Sequence, residues 1–60
     1  MNAADFTAWM EHMVLNVSDV SRTLGLSRNT VTKYMAEGAP AYIGYACAAL
    51  AFGLPKWAKA

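Results

Sequence analysis

Apolar side chains recur along this chain with a helical period, in four bursts separated by polar or glycine and proline punctuation. In the first burst Phe6, Trp9, Met10 and Met13 fall at i, i+3, i+4 and i+7, one stripe of a helix, while Asp5, Thr7, Glu11 and His12 lie off it. Asn2 followed by Asp5 has the spacing of an N-cap and a carboxylate three positions on, where the acid meets unpaired amides and the positive end of the helix. Asn16 and Asp19 repeat that signature ahead of Val17, Val20 and Leu24, and Gly25 ends the second helix. Ser27 caps a third helix with Val31 and Tyr34 inward, and Glu37, Gly38, Ala39 and Pro40 form a turn. Pro40 suits the first turn of a fourth helix, over about residues 40–53, closed by Gly53 and Pro55. The pattern predicts an all-α fold, one small bundle of four to five helices occupying residues 1–60 as a single domain.

The two helices flanking Gly25 predict a more specific unit, over residues 17–36. Val20 and Leu24 are placed to pack on Val31 and Tyr34, Leu26 plugs the corner, and the small Ser21 lets the helices approach closely. Glycine after a helix takes positive φ without a Cβ clash, so the chain can reverse within a few residues. This is the spacing of a helix-turn-helix. At 100° per residue, Val31 and Tyr34 centre on one side of the third helix and Arg28, Asn29, Thr32 and Lys33 almost opposite, so burying one group exposes the other.

The exposed group suits base reading. Arginine donates twice to guanine O6 and N7, and asparagine both donates to and accepts from adenine. Arg28, Asn29, Thr32 and Lys33 are therefore the expected base contacts. Ser18, Ser27 and Thr30, short hydroxyls near helix N-termini, are the expected phosphate contacts, which set position without reading sequence.

Charge and composition narrow the alternatives. A net charge of +1 offers no global attraction to a polyanion, so any nucleic-acid binding must come from locally placed cations. Cys47 stands alone, which excludes an internal disulfide, and with His12 it falls short of a zinc ligand set. No metal or other cofactor is expected, and a reducing, intracellular setting follows. The start of the chain carries acids where a signal peptide needs a basic region, and the longest apolar run, Ala41 to Leu54, is shorter than the roughly 20 residues that span a bilayer. One histidine and no glycine-rich phosphate loop leave no acid, base and nucleophile set, so no enzymatic role or small-molecule substrate is expected.

From about Phe6 to Leu54, "VSDVSRTLGLSRNTVTKYMAEG" followed by "PAYIGYACAAL" resembles the Cro/C1-type (XRE-like) helix-turn-helix repressors of phages and bacteria. "LGLSRNTV" is the most specific part. The "AW" of Ala8 and Trp9 and the proline-led last helix ending in "AALAFGLP" are similar to very small members, phage Cro-like and anti-CRISPR-associated repressors. The resemblance implies a lambda-repressor-like fold, a homodimer with two recognition helices in successive major grooves, and repression at an operator in the bacterial cytoplasm. Two positions depart from the family. Val17 stands where the family usually has a phosphate-contacting Gln, so that contact is missing or moved. Val14 stands where a glycine usually follows the first helix; a β-branched residue is unfavourable at positive φ, which predicts a differently built first turn.

The fourth helix is apolar on both sides. Ile43, Ala46, Cys47, Leu50 and Leu54 form one face and Tyr42, Tyr45, Ala49 and Phe52 the other. A hydrophobic fraction of 57% in so short a chain is more than one small core absorbs, so a second copy covering the aromatic face is expected. The expected dimer interface is Tyr42, Tyr45, Ala49, Phe52 and Trp57. In the competing arrangement Tyr42, Tyr45 and Trp57 wrap back over the first helix of a monomer. The leading functional expectation is a sequence-specific DNA-binding transcriptional repressor on a palindromic operator. The alternative is a protein-interaction module, such as an antitoxin or a phage anti-regulator, using that aromatic face.

Overall fold

A computed structural model describes residues 1–59 of the chain. Four helices follow one another: α1 (Ala3–Met13), α2 (Val17–Leu24), α3 (Arg28–Glu37) and α4 (Ala41–Ala51), with no strand among the described residues. The expected caps are in place. The side chain of Asn2 accepts from the Asp5 amide at 2.8 Å, and Ser27 accepts from the Thr30 amide at 3.1 Å. Asn16 and Asp19 form a reciprocal box, each side chain accepting from the other's backbone amide. Such caps contribute about 1 kcal/mol each to helices too short to stand alone.

Three of the four helices end alike. After α1, α2 and α4 a residue in the left-handed region, Val14 (φ 56°), Gly25 (φ 68°) and Gly53 (φ 70°), turns the chain back, and the next amide reaches five residues upstream. Those bonds run from Leu15 to the Met10 carbonyl, Leu26 to Ser21 and Leu54 to Ala49, at 2.9, 3.0 and 2.9 Å. This is the Schellman geometry, which satisfies carbonyls the helix leaves unpaired. The first turn is therefore built like the others, contrary to the expectation from Val14. The valine sits in the strained region itself, 86% exposed, because Leu15 beyond it is needed against the core.

The core is Phe6, Trp9, Met10, Val20, Val31, Ile43 and Cys47, drawn from all four helices. α1 lies across the bundle against both α3 and α4, and α3 also packs against α2. Phe6 is fully buried at the centre, tilted against Trp9 at 5.8 Å and edge-on to Tyr34 at 5.7 Å between ring centroids. The N-terminus closes the bundle: the Ala39 amide donates to the Met1 carbonyl at 2.8 Å. Only glycine fits at 38, where φ is +96° and a Cβ would stand 2.9 Å from that carbonyl oxygen.

α4 ends at Ala51, two residues before the expected limit, and this corrects one assignment. Ile43 and Cys47 are buried and Ala46 and Leu50 half-buried, but Leu54 lies past the helix end and is 59% exposed. From Gly53 to Lys59 the described chain is an exposed tail.

Candidate nucleic-acid interface

The α2–α3 connection is three residues, Gly25, Leu26 and Ser27, and it is tied on both sides. The Leu26 amide donates to the Ser21 carbonyl, and the Ser21 hydroxyl donates to the Leu26 carbonyl. Sequence reading explained Ser21 by its size alone; its hydroxyl also supplies a donor to a carbonyl at the corner. A small polar residue five positions before an apolar one, spanning a glycine, was the available signal. Val20 of α2 and Val31 of α3 are both fully buried in the one core cluster, and α2 packs against α3.

With Val31 buried, Arg28, Asn29, Thr32 and Lys33 are all exposed, spread over an arc of about 140° of α3. Among the described residues Arg28, Asn29 and Lys33 make no side-chain hydrogen bond or ion pair. Glu37 follows one turn after Lys33 without pairing to it. Thr32 differs: its hydroxyl donates to the Asn29 carbonyl at 2.9 Å, which holds its rotamer and leaves the oxygen as an acceptor and the methyl as an apolar contact.

The three expected phosphate contacts are placed less uniformly. Ser27 is exposed at the N-terminus of α3, while Thr30 and Ser18 are half-buried. Ser27 and Thr30 share a hydrogen bond, oxygen to oxygen 2.8 Å, so one hydroxyl proton is used between them and one remains to donate outward. Ser18, in the first turn of α2, makes no side-chain hydrogen bond among the described residues.

The distribution of cations sharpens the picture. Of five Lys and Arg residues, Arg22 on α2 is exposed but paired with Asp19 one turn back. Among the described residues, the exposed cations without a carboxylate partner are thus Arg28 and Lys33 on α3 and Lys56 and Lys59 in the tail. A chain with almost no net charge presents a local pair of cations on one helix face. Arg22 was not singled out from sequence; exchanging its Asp19 partner for a phosphate is open to it, since the pair is at the surface where such bridges contribute little.

Tyr42 and Tyr45 on α4 and Phe52 just past its end are 66, 78 and 82% exposed, and Trp57 in the tail is 96% exposed. They do not wrap back over α1. Ala49 is half-buried at the edge of an apolar groove of about 330 Å³ between α2, α4 and the tail. Burial first, and then the neighbouring Tyr42 hydroxyl, raise the Tyr34 phenol above its ordinary pKa. A second groove, about 530 Å³, runs between the end of α1 and the start of α2 over Met10, Leu15 and Met35. Among the described residues no three His, Cys, Asp or Glu side chains are gathered closely enough to hold a metal ion.

The chain matches no protein-family model, no curated protein and no solved structure. Among the described residues no helix is long and apolar enough to cross a membrane. The functional reading therefore stands on the geometry of α2, α3 and α4.

Proposed function

We propose that the chain is a sequence-specific DNA-binding transcriptional repressor in which α2 and α3 form a helix-turn-helix and α3 enters the major groove. One observation carries the reading. Val31 and Tyr34 turn inward while Arg28, Asn29 and Lys33 lie exposed on an arc centred almost opposite them, and these three side chains make no hydrogen bond or ion pair among the described residues. A guanidinium, an amide and an ammonium held ready on one convex edge match the donor and acceptor pattern of base edges. Thr32 adds an apolar methyl for a thymine, and Ser18, Ser27 and Thr30 are assigned to phosphates on either side.

The operator is an inverted repeat bound by a homodimer, with half-sites about 34 Å apart, one turn of duplex. The resemblance to Cro/C1-type repressors supports this reading, and so does the cluster of unpaired cations on α3. The protein works by occupancy: bound at a promoter in the cytoplasm of a bacterial host, on a phage or bacterial genome, it excludes polymerase and carries out no chemistry.

A second reading has its own observation. The exposed Tyr42, Tyr45, Phe52 and Trp57 are also what a protein-interaction module, such as an antitoxin or phage anti-regulator, presents to a foreign partner. Selection of random duplexes by the purified protein separates the two. The repressor reading predicts an enriched palindrome; failure of any duplex to enrich, at low salt, favours the interaction module.

A further inference from the structure

We infer that the tail after α4 is a second DNA-contacting element, in which Lys56 and Lys59 neutralise backbone phosphates beside the base-reading helix. This rests on the DNA-binding reading above and adds a site to it.

A deficit of charge leads to the tail. Arg28 and Lys33 are assigned to base edges and Ser18, Ser27 and Thr30 to phosphates, so every assigned phosphate contact is a neutral hydroxyl. Affinity for duplex comes largely from cations that displace counterions from phosphates, and a chain of net charge +1 has no general excess to supply it. Arg22 is held by Asp19. Among the described residues the remaining exposed cations are Lys56 and Lys59. No acid stands near them in sequence: the four acids, Asp5, Glu11, Asp19 and Glu37, all precede Gly38.

The tail lies against the helix-turn-helix rather than away from it. Beyond α4 the chain turns at Gly53 (φ 70°), where the Leu54 amide returns to the Ala49 carbonyl at 2.9 Å. Leu54, Pro55, Lys56 and Trp57 then line one groove together with Thr23 and Leu24, the last two residues of α2. From Leu24, four peptide units lead through the Gly25 turn to Arg28, at most about 15 Å of chain. That length is comparable with the about 12 Å width of the major groove, whose two phosphate rows flank a seated helix. A cation at the end of α2 is therefore on the scale of the nearer row.

The backbone of the tail adds to its lysines. From Leu54 to Lys59 it forms no helix, strand or turn, and among the described residues the amides of Lys56, Trp57 and Ala58 donate to no backbone carbonyl. They remain as further donors to phosphate oxygens.

Salt dependence tests the tail separately from the bases. The probes are a duplex selected by the native protein and a random-sequence duplex of the same length, titrated between about 50 and 200 mM salt. Each phosphate contact contributes about 0.9 to the slope of log affinity against log salt, so Lys56→Ala/Lys59→Ala is expected to lower it by about 2 per bound subunit on both duplexes. The native advantage then shrinks roughly tenfold per subunit across that range, with guanine discrimination unchanged. Lys56→Arg/Lys59→Arg is expected to keep the native slope. Ala4→Glu/Ala8→Glu, at exposed positions of α1, changes the net charge of +1 by the same two units and is expected to leave the slope near native. A Lys56→Ala/Lys59→Ala slope equal to the native one, or a fall matched by Ala4→Glu/Ala8→Glu, overturns the tail contact and leaves the reading of α3 intact. If no sequence is selected, base reading falls, and the slope on the random duplex still decides the tail. A native protein that binds neither duplex overturns both.

Discussion

The indole N–H of Trp9 on α1 donates a buried hydrogen bond of 3.0 Å to the carbonyl oxygen of Cys47 on α4. The bond joins residues 38 positions apart and stands beside the fully buried Phe6 ring. It therefore fixes where α4 lies across the bundle, and with it the direction in which Tyr45 and Phe52 project.

Trp9→Phe keeps an aromatic ring but removes the donor and leaves a gap. The expected cost is about 1–3 kcal/mol, since a buried carbonyl loses a partner and packing is lost with it. In a domain of this size each kcal/mol lowers the melting temperature by roughly 4–8 °C. A thermal melt of the variant checks it; an unchanged midpoint would mean the bond contributes nothing.

Val14→Gly is expected to stabilise the fold. A β-branched residue at φ 56° carries a cost of about 1–2 kcal/mol, and even after the greater freedom of glycine in the unfolded chain a net gain of about 1 kcal/mol remains. Val14 is exposed, so little packing is lost. Urea unfolding measures the gain, and a lower midpoint for the glycine variant would contradict the strain argument.

Stability is expected to fall on the alkaline side. Burial raises the Cys47 thiol above its ordinary value of 9.0, and burial together with Tyr42 raises the Tyr34 phenol above 10.0. Both folded pKa values lie above the unfolded ones, so the folded state holds its protons longer. The contribution is complete below about pH 9 and is lost as pH rises through the folded values. Urea midpoints across pH check the sign. Cys47→Ala is expected to remove the earlier part of the decline and to leave the part due to Tyr34.

Much of the fold is legible in short-range pattern. Asn2, Asn16 and Ser27 announce helix starts within three residues of the amides they cap, and the Phe6, Trp9, Met10 stripe needs only the 3.6-residue period. What escapes that reading is non-local. Val14 looks misplaced for a left-handed turn when judged alone, yet burying Leu15 against the core outweighs its local strain. Gly38 reads as an ordinary turn glycine, and only the folded chain brings Met1 against it. Leu54 continues the apolar period of α4 on paper, but the turn at Gly53 lifts it off the core.

The candidate site is legible for the same reason as the core, because on a single helix exposure is the complement of burial. Val31 and Tyr34 going in puts Asn29, Thr32 and Lys33 on the far side, with Arg28 at its margin. The state of each polar side chain is not written in that period. That Ser27 and Thr30 bond to each other, that Thr32 bonds back to Asn29, and that Arg22 is held by Asp19 all depend on rotamers chosen in the folded chain.

Lys33→Ala is expected to lose affinity chiefly through one base at one position of each half-site, because the ammonium is assigned to a base edge. Uniform weakening on all duplexes, with the slope of log affinity against log salt lowered by about 1, would instead assign Lys33 to a phosphate and contradict that assignment. Titrations of the native and variant proteins at several salt concentrations separate the outcomes.

The most direct test of the central claim, that the outward face of α3 reads bases, is the affinity of Arg28→Ala for a selected duplex and for the same duplex with each guanine replaced in turn. Arg28 is exposed and has no side-chain partner among the described residues, so the variant should fold like the native chain. The account predicts a loss of about 1–3 kcal/mol on the selected site and indifference to replacement of one guanine per half-site that the native protein discriminates. Equal affinity of native and Arg28→Ala proteins for every one of these duplexes would contradict it.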